Sequence, residues 1–98
     1  MISYSNRIWL IVIAIACAAL LGSCRQAEEK KTRILSRADQ FFAHGEYEKA
    51  KIEYLNVLRL DRTELRALQR LGTIWLQQGA PLEAYPYFFQ AHEYAPDD

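Results

Sequence analysis

The chain has 98 residues, and its twelve basic and twelve acidic side chains give a formal net charge of zero. A chain near this size buries only about 60% of the surface that its unfolded form exposes, which excludes an enzyme with a large enclosed active site. The charge balance excludes a nucleic-acid binder, which needs a basic face. The hydrophobic share of 51% excludes a disordered tail.

Residues 1–23 are predicted to form a secretory signal peptide. A short polar start ends at Arg7, and residues 8–21 (IWLIVIAIACAALL) are an unbroken run of fourteen apolar residues. A transmembrane helix needs about 20 apolar residues, whereas the apolar core of a signal peptide has about 7–15. The length of the run therefore favours a signal peptide over a membrane span.

Small side chains end this run at the position where a signal peptidase cuts, and a cysteine follows them. The four residues are Leu21, Gly22, Ser23 and Cys24. They resemble the lipobox of bacterial lipoproteins, which implies cleavage before Cys24 and a covalent lipid on its sulfur, with no other cofactor. Two alternatives stay open. One is Cys17 as a weaker cleavage site, and the other is an uncleaved anchor in the inner membrane.

Residues 24–31 are predicted to be a lipidated polar tether. The stretch RQAEEKK after the cysteine has no aliphatic side chain larger than alanine, as in a solvated linker. In the lipoproteins that the chain resembles, an aspartate directly after the lipidated cysteine retains the protein in the inner membrane, and Arg25 stands there instead. The resemblance therefore implies a cell-envelope protein that faces the periplasm, with the outer membrane favoured.

From residue 31 onward the sequence repeats itself with a period of 34 residues. Apolar residues follow helical spacing, and sliding the chain by this period places small residues on small ones and aromatic residues on aromatic ones. The repeat-defining positions are Ala38, Phe41, Gly45, Ala50 and Tyr54 in the first copy (residues 31–64) and Gly72, Trp75, Gly79, Ala84, Phe88 and Pro96 in the second (residues 65–98). The pattern resembles the tetratricopeptide repeat, TPR. The resemblance implies an all-α fold of tandem helix–turn–helix repeats, a TPR-type α-solenoid.

Glycine and proline positions predict where these helices begin and end. Gly45 and Gly79 are expected to take positive φ and to end the first helix of each pair. Pro81 suits a helix start, and Pro96 lies where the second helix of the second copy should stop. Pro86 lies five residues after Pro81, so we expect a kinked or late helix over residues 84–94.

The chain shows no pattern of residues that performs catalysis or binds a metal. It has no Gly-rich phosphate loop, no HExxH and no CxxC. His44 and His92, its only histidines, are not at metal-ligand spacing. We therefore predict that these residues are not an enzyme. The alternative is that they form the N-terminal repeat module of a larger envelope enzyme.

Partner binding is the predicted function. In TPR proteins the first helix of each pair lines a concave face, and the resemblance assigns ligand-contacting positions to Leu35, Asp39, Phe42, Arg66, Gln69, Arg70, Thr73 and Leu76. The expected partners are other envelope proteins or further repeats of the same chain. The lipid anchor is expected to attach the chain to the membrane, and no nucleic acid is expected to bind. Repeat lipoproteins of this build resemble those that serve exopolysaccharide export, pilus assembly or outer-membrane assembly.

The two copies reach Asp98 without the polar capping helix that usually ends a solenoid. Such repeats need about three copies for stability. Leu76, Tyr85 and Phe89 are therefore expected to be exposed. Their exposure predicts the truncated front of a longer repeat protein, self-association, or pairing with another chain.

Overall fold

The computed structural model describes residues 3–96, and these residues form four α-helices and no strand. The helices are α1 (Tyr4–Ala43), α2 (Tyr47–Leu60), α3 (Leu65–Gln77) and α4 (Pro81–Tyr94). The predicted all-α class is thus confirmed for the described residues. The chain divides into two compact units, Met1–Lys30 and Lys31–Asp98. Asp98, where the second copy of the repeat was expected to end, lies outside the described residues.

Helix α1 continues without a break through residues 24–31, the stretch that the sequence predicted to be a tether. Its residues explain this, because Arg, Gln, Ala, Glu and Lys are among the strongest helix formers. The segment has no apolar face to bury, and its residues up to Lys30 are exposed. Its polar character therefore does not prevent it from being helical.

The turns after α1 and α3 are built identically. Gly45 and Gly79 have φ of 73° and 75°, which confirms the predicted positive φ. The Glu46 amide donates to the Phe41 carbonyl (2.9 Å). The equivalent bond after α3 runs from the Ala80 amide to the Trp75 carbonyl, also at 2.9 Å. Together with the bonds from the two glycine amides, these contacts are the Schellman motif, which satisfies carbonyls at a helix end.

The core of the second unit lies between α1, α2 and α3. It consists of Ile34, Leu35 and Ala38 from α1, Ala50, Tyr54 and Val57 from α2, and Ala67, Leu71 and Ile74 from α3. Ala38, Ala50 and Tyr54 have no exposed surface, so the core is closed to water at these three repeat-defining positions. The other aromatic residues at repeat-defining positions, Phe41, Trp75 and Phe88, are half-buried.

The second hairpin pairs α3 with α4 around Gly72. A Cβ atom added at Gly72 would lie 2.6 Å from Phe88 Cζ, so only glycine leaves room for the ring. Ala84 is also buried. The contact between Gly72 and the Phe88 ring thus accounts for the small residue at this repeat-defining position.

Helix α4 begins at Pro81 and ends at Tyr94, two residues before Pro96. The expected late start is wrong. The fixed φ of Pro81 suits the first position of a helix, and the Ala84 amide donates to the Ala80 carbonyl (3.1 Å), which closes the first turn upstream of Pro86. Pro86 leaves the carbonyl of Leu82 without a helical donor, and Leu82 is 84% exposed, where water can replace that donor.

Candidate interaction site

Asp39, one of the predicted binding residues, joins three helices of the second unit. The Tyr54 hydroxyl of α2 donates to its Oδ1 (2.5 Å), and Arg66 Nη1 of α3 donates to its Oδ2 (2.9 Å). Burial, and then the hydrogen bond to Asp39, raises the pKa of Tyr54 far above its usual value. Both carboxylate oxygens of Asp39 are therefore engaged in holding the fold.

The other candidates on α1 are also used within the unit. Leu35 is 8% exposed and belongs to the core that α1, α2 and α3 share, so its assignment as a ligand contact is corrected. Phe42 is half-buried, and the guanidinium carbon of Arg70 lies 4.4 Å from the centre of its ring. This distance is typical of a cation–π contact. On this side the candidate residues mainly bind α1 to α3.

The candidates further along α3 turn toward solvent. Gln69 is exposed, and Leu76 is 51% exposed. Thr73 is half-buried, and its hydroxyl donates to the Gln69 carbonyl (2.8 Å). These three residues lie on the surface that α3 presents beside α4, so they remain available to a partner.

Lys51 connects α2 to the end of α3, a role that the sequence did not predict. Its Nζ lies 3.9 Å from the centre of the Trp75 ring and donates to Gln78 Oε1 (2.9 Å). The same ammonium pairs with Glu48 (3.0 Å), which also accepts a hydrogen bond from Gln78 Nε2 (2.8 Å). The Lys51 and Gln78 bonds lower the pKa of Glu48. The spacing of Glu48 and Lys51 is the one available sequence signal, since residues three apart are neighbours on a helix.

Lys31 joins the start of the second unit to the loop after α2. Its Nζ donates to Asp61 Oδ2 (2.9 Å) and lies 3.2 Å from Glu64 Oε2. Asp61 Oδ1 accepts from the Thr63 amide (3.0 Å) and the Thr63 hydroxyl (2.8 Å). The bond from Lys31, followed by those from Thr63, lowers the pKa of Asp61 to about 2. Lys31 is thus a structural residue, although it ends the predicted tether.

An open groove of about 390 Å³ lies between α3 and α4, and we call it the outer groove. Its floor is formed by Gln69, Phe88, Ala91, His92 and Ala95. We assign Thr73 and Leu76 of α3 and Leu82 and Tyr85 of α4 to its rim, because they lie 34 residues after the side chains of α1 and α2 that contact α3. Those side chains are Asp39, Phe42, Glu48 and Lys51. Tyr85 is 66% exposed and stacks on Phe89, which is 50% exposed, with the ring centres 5.9 Å apart. The predicted exposure of Leu76, Tyr85 and Phe89 is confirmed.

The N-terminal part of α1 is apolar and exposed. An 18-residue window in this helix reaches a mean hydropathy of 2.2, so by length and composition the helix can cross a membrane. A signal sequence has the same property. Leu21, Gly22 and Ser23 are exposed, and the thiols of Cys17 and Cys24 are free and exposed.

Residues 3–96 contain no group of three or more His, Cys, Asp or Glu side chains placed to hold a metal ion. His44 lies in the turn after α1, and its Nδ1 is 2.7 Å from the Gln40 carbonyl. His92 belongs to the floor of the outer groove.

Comparison with known proteins gives no match to any protein-family model and no match to a curated protein.

Proposed function

We propose that the chain is a membrane-tethered protein-interaction module of the bacterial envelope, built from two TPR-type hairpins behind a lipoprotein signal peptide. The observation that carries this proposal is the outer groove, an apolar surface that α3 and α4 leave open, whereas α3 shares a core with the first hairpin. Such a surface suits binding, since a groove without titratable clusters offers little to a reaction. The pathways in view are exopolysaccharide export, pilus assembly and outer-membrane assembly.

The repeated architecture is supported by equivalent atoms 34 residues apart. The Schellman bonds at Gly45 recur at Gly79 with the same donors and acceptors. Buried Ala50 recurs as buried Ala84, and buried Ala38 recurs as buried Gly72. A sequence that repeats its turns and its close contacts at one period builds the same hairpin twice.

Lipidation of Cys24 is tested by the mass of the intact protein extracted from bacterial membranes. We expect a chain that begins at Cys24 and carries a diacylglyceryl group and a further acyl chain, and that incorporates a clickable palmitate analogue. Cys24→Ser should abolish the label, whereas the matched control Cys17→Ser should keep it. A full-length, unlabelled mass would refute the lipoprotein part of the proposal.

The uncleaved anchor is the second candidate, because α1 is helical without a break from Tyr4 through Cys24. Residues 25–33 carry four basic side chains, whereas Arg7 is the one basic side chain before the apolar run. In a spanning helix this asymmetry holds the basic side in the cytoplasm. Reporter fusions after residue 96 separate the two candidates: periplasmic alkaline phosphatase activity supports the lipoprotein, and cytoplasmic fluorescence of a green fluorescent protein fusion supports the anchor.

Partner binding is tested by site-specific photo-crosslinking in living cells. A photo-reactive amino acid at Tyr85, on the rim of the outer groove, should give discrete protein adducts. The control position is Ile52, which is 59% exposed on α2. Adducts of equal intensity at both positions, or at neither, would contradict an interaction site in the outer groove.

A further inference from the structure

The structure shows what kind of element fits the outer groove, because an equivalent surface is occupied within the same unit. The floor residues Phe88, Ala91 and Ala95 lie 34 positions after Tyr54, Val57 and Asp61. Tyr54 and Val57 have no exposed surface, and they share one core with α3. We call the surface of α1 and α2 that α3 covers the inner groove. The open space of the outer groove therefore corresponds to the space that a helix fills in the inner groove.

Helix α3 presents a small aliphatic face to the inner groove. Ala67, Leu71 and Ile74 have no exposed surface and belong to the core shared with α1 and α2. They follow one another at spacings of four and three residues, so they form a single stripe along the helix. An occupant of this shape is an amphipathic helix with a narrow apolar face.

Polar anchors hold α3 on the α1 side of the inner groove. Arg66 pairs with Asp39 at 2.9 Å, and Arg70 covers the Phe42 ring at 4.4 Å. At the equivalent positions of the outer groove, Thr73 replaces Asp39 and Leu76 replaces Phe42. An arginine at the first site would lose its carboxylate, and an arginine at the second would lose its aromatic ring.

A second set of anchors holds α3 on the α2 side. Gln78 bonds to both Glu48 and Lys51, at 2.8 Å and 2.9 Å. In the outer groove these two charged positions are Leu82 and Tyr85, which are 84% and 66% exposed. Three positions that are charged in the inner groove, 39, 48 and 51, therefore have neutral equivalents on the rim of the outer groove.

We infer that the outer groove binds an amphipathic α-helix of a partner protein. This helix has apolar side chains at the flanking positions where α3 carries arginine and glutamine. The contact face of this helix is aliphatic, as in α3, because Phe88, Ala91 and Ala95 on the floor of the outer groove are apolar. A second copy of this chain does not supply this helix, since the flanks of its α3 carry Arg66, Arg70 and Gln78. The inference rests on the proposed function and names the class of partner.

The test uses two helical peptides and the full chain in lipid nanodiscs. Peptide A is residues 63–78 of this chain, and peptide B has the same sequence with Arg66→Leu, Arg70→Leu and Gln78→Leu. Each peptide is stapled on its outward face, because a free helix of this length is marginal in water. Fluorescence anisotropy should show that peptide B binds at least tenfold more tightly than peptide A.

A variant of the full chain with Thr73→Asp, Leu82→Glu and Tyr85→Lys has the three charged side chains of the inner groove at the equivalent positions of the outer groove. It should reverse the preference, so that peptide A binds more tightly than peptide B. Ile52→Glu, a charge change on the exposed surface of α2, should leave both affinities unchanged, and empty nanodiscs should bind neither peptide appreciably. The reversal is the decisive readout, because partition of an apolar peptide into lipid does not depend on these three side chains.

Three results would overturn the inference: no binding of peptide B to the unaltered chain, equal affinities for the unaltered chain and its triple variant, or self-association of the chain that covers the groove. In each case the photo-crosslinks at Tyr85 are a separate observation. If those crosslinks persist, the interaction module stands without a helical partner, and if they are absent, the proposed function fails as well.

Discussion

Removal of the Asp39 carboxylate should destabilise the helical unit, because this side chain holds a hydroxyl that has no access to water. Asp39→Ala leaves the Tyr54 hydroxyl without its acceptor, and Tyr54 has no exposed surface. The same substitution breaks the ion pair with Arg66, whose side chain is 57% exposed. The structural role thus predicts a loss of stability in the absence of any partner.

The magnitude follows from the two contacts. An unpaired buried hydroxyl costs about 1–3 kcal/mol, and an exposed ion pair contributes about 0–1 kcal/mol. We therefore expect Asp39→Ala to lower the free energy of unfolding by about 2–3 kcal/mol. Tyr54→Phe keeps the packing of the ring and removes the hydroxyl, so it should cost only about 1 kcal/mol. Asp39→Asn keeps an acceptor and should cost less than Asp39→Ala.

The assay is urea unfolding of the full chain in detergent micelles, followed by the fluorescence of Trp75 in a Trp9→Phe background. The double variant Asp39→Ala with Tyr54→Phe should be about 1–2 kcal/mol more stable than the sum of the single changes predicts, because the orphaned hydroxyl is gone. Additivity within about 0.5 kcal/mol would refute the reasoning, since it would mean that Tyr54 and Asp39 do not interact energetically.

Three further predictions use the same unfolding assay. Gly72→Ala should cost about 1 kcal/mol, because overpacking against the Phe88 ring at 2.6 Å outweighs the gain in helix propensity. With Phe88→Leu the same change should be neutral or stabilising, and an unchanged penalty would contradict the contact. Gly79→Ala should cost about 1 kcal/mol through strain at φ 75°, and no loss would show that the turn relaxes. The pKa of Asp61 is lowered to about 2 in the folded chain. Its ionised carboxylate therefore stabilises the fold fully above pH 4, and this stabilisation is lost as the pH falls toward 2. Because Asp61 is partly exposed, we expect a loss of about 1 kcal/mol, and Lys31→Met should reduce this dependence on pH; an unchanged pH profile would argue against the ion pair.

The helix ends were predictable because short-range chemistry decides them. Gly45 and Gly79 end their helices by a backbone conformation that glycine adopts at little cost, and Pro81 begins a helix with a preset φ. The one error in α4 arose at Pro86, where the rule against an internal proline was applied too strictly. The exposed first turns of the helix tolerate the missing bond at the carbonyl of Leu82.

The candidate site was predictable in part. The exposure of Leu76, Tyr85 and Phe89 was predicted, because these apolar residues lie on a surface that the described helices do not cover. Leu35 was assigned to the wrong environment, because an apolar residue suits a ligand contact and a core position equally well, and the packing of the three helices buries it. Lys31 had no distinguishing sequence signal, since its partner Asp61 lies 30 residues away along the chain. For Lys51 the spacing from Glu48 was the one signal, and its partner on α3, Gln78, lies 27 residues away.

Four properties follow from the amino-acid sequence alone: the helical class, the turn positions, the repeat of small residues and the apolar N-terminal run. Each of these depends on residues that are neighbours along the chain or recur at a single period. That Asp39 joins three helices, and that Glu48 and Lys51 bind the end of α3, emerged only from the folded chain. Those properties belong to side chains from different helices, and packing alone brings such side chains together.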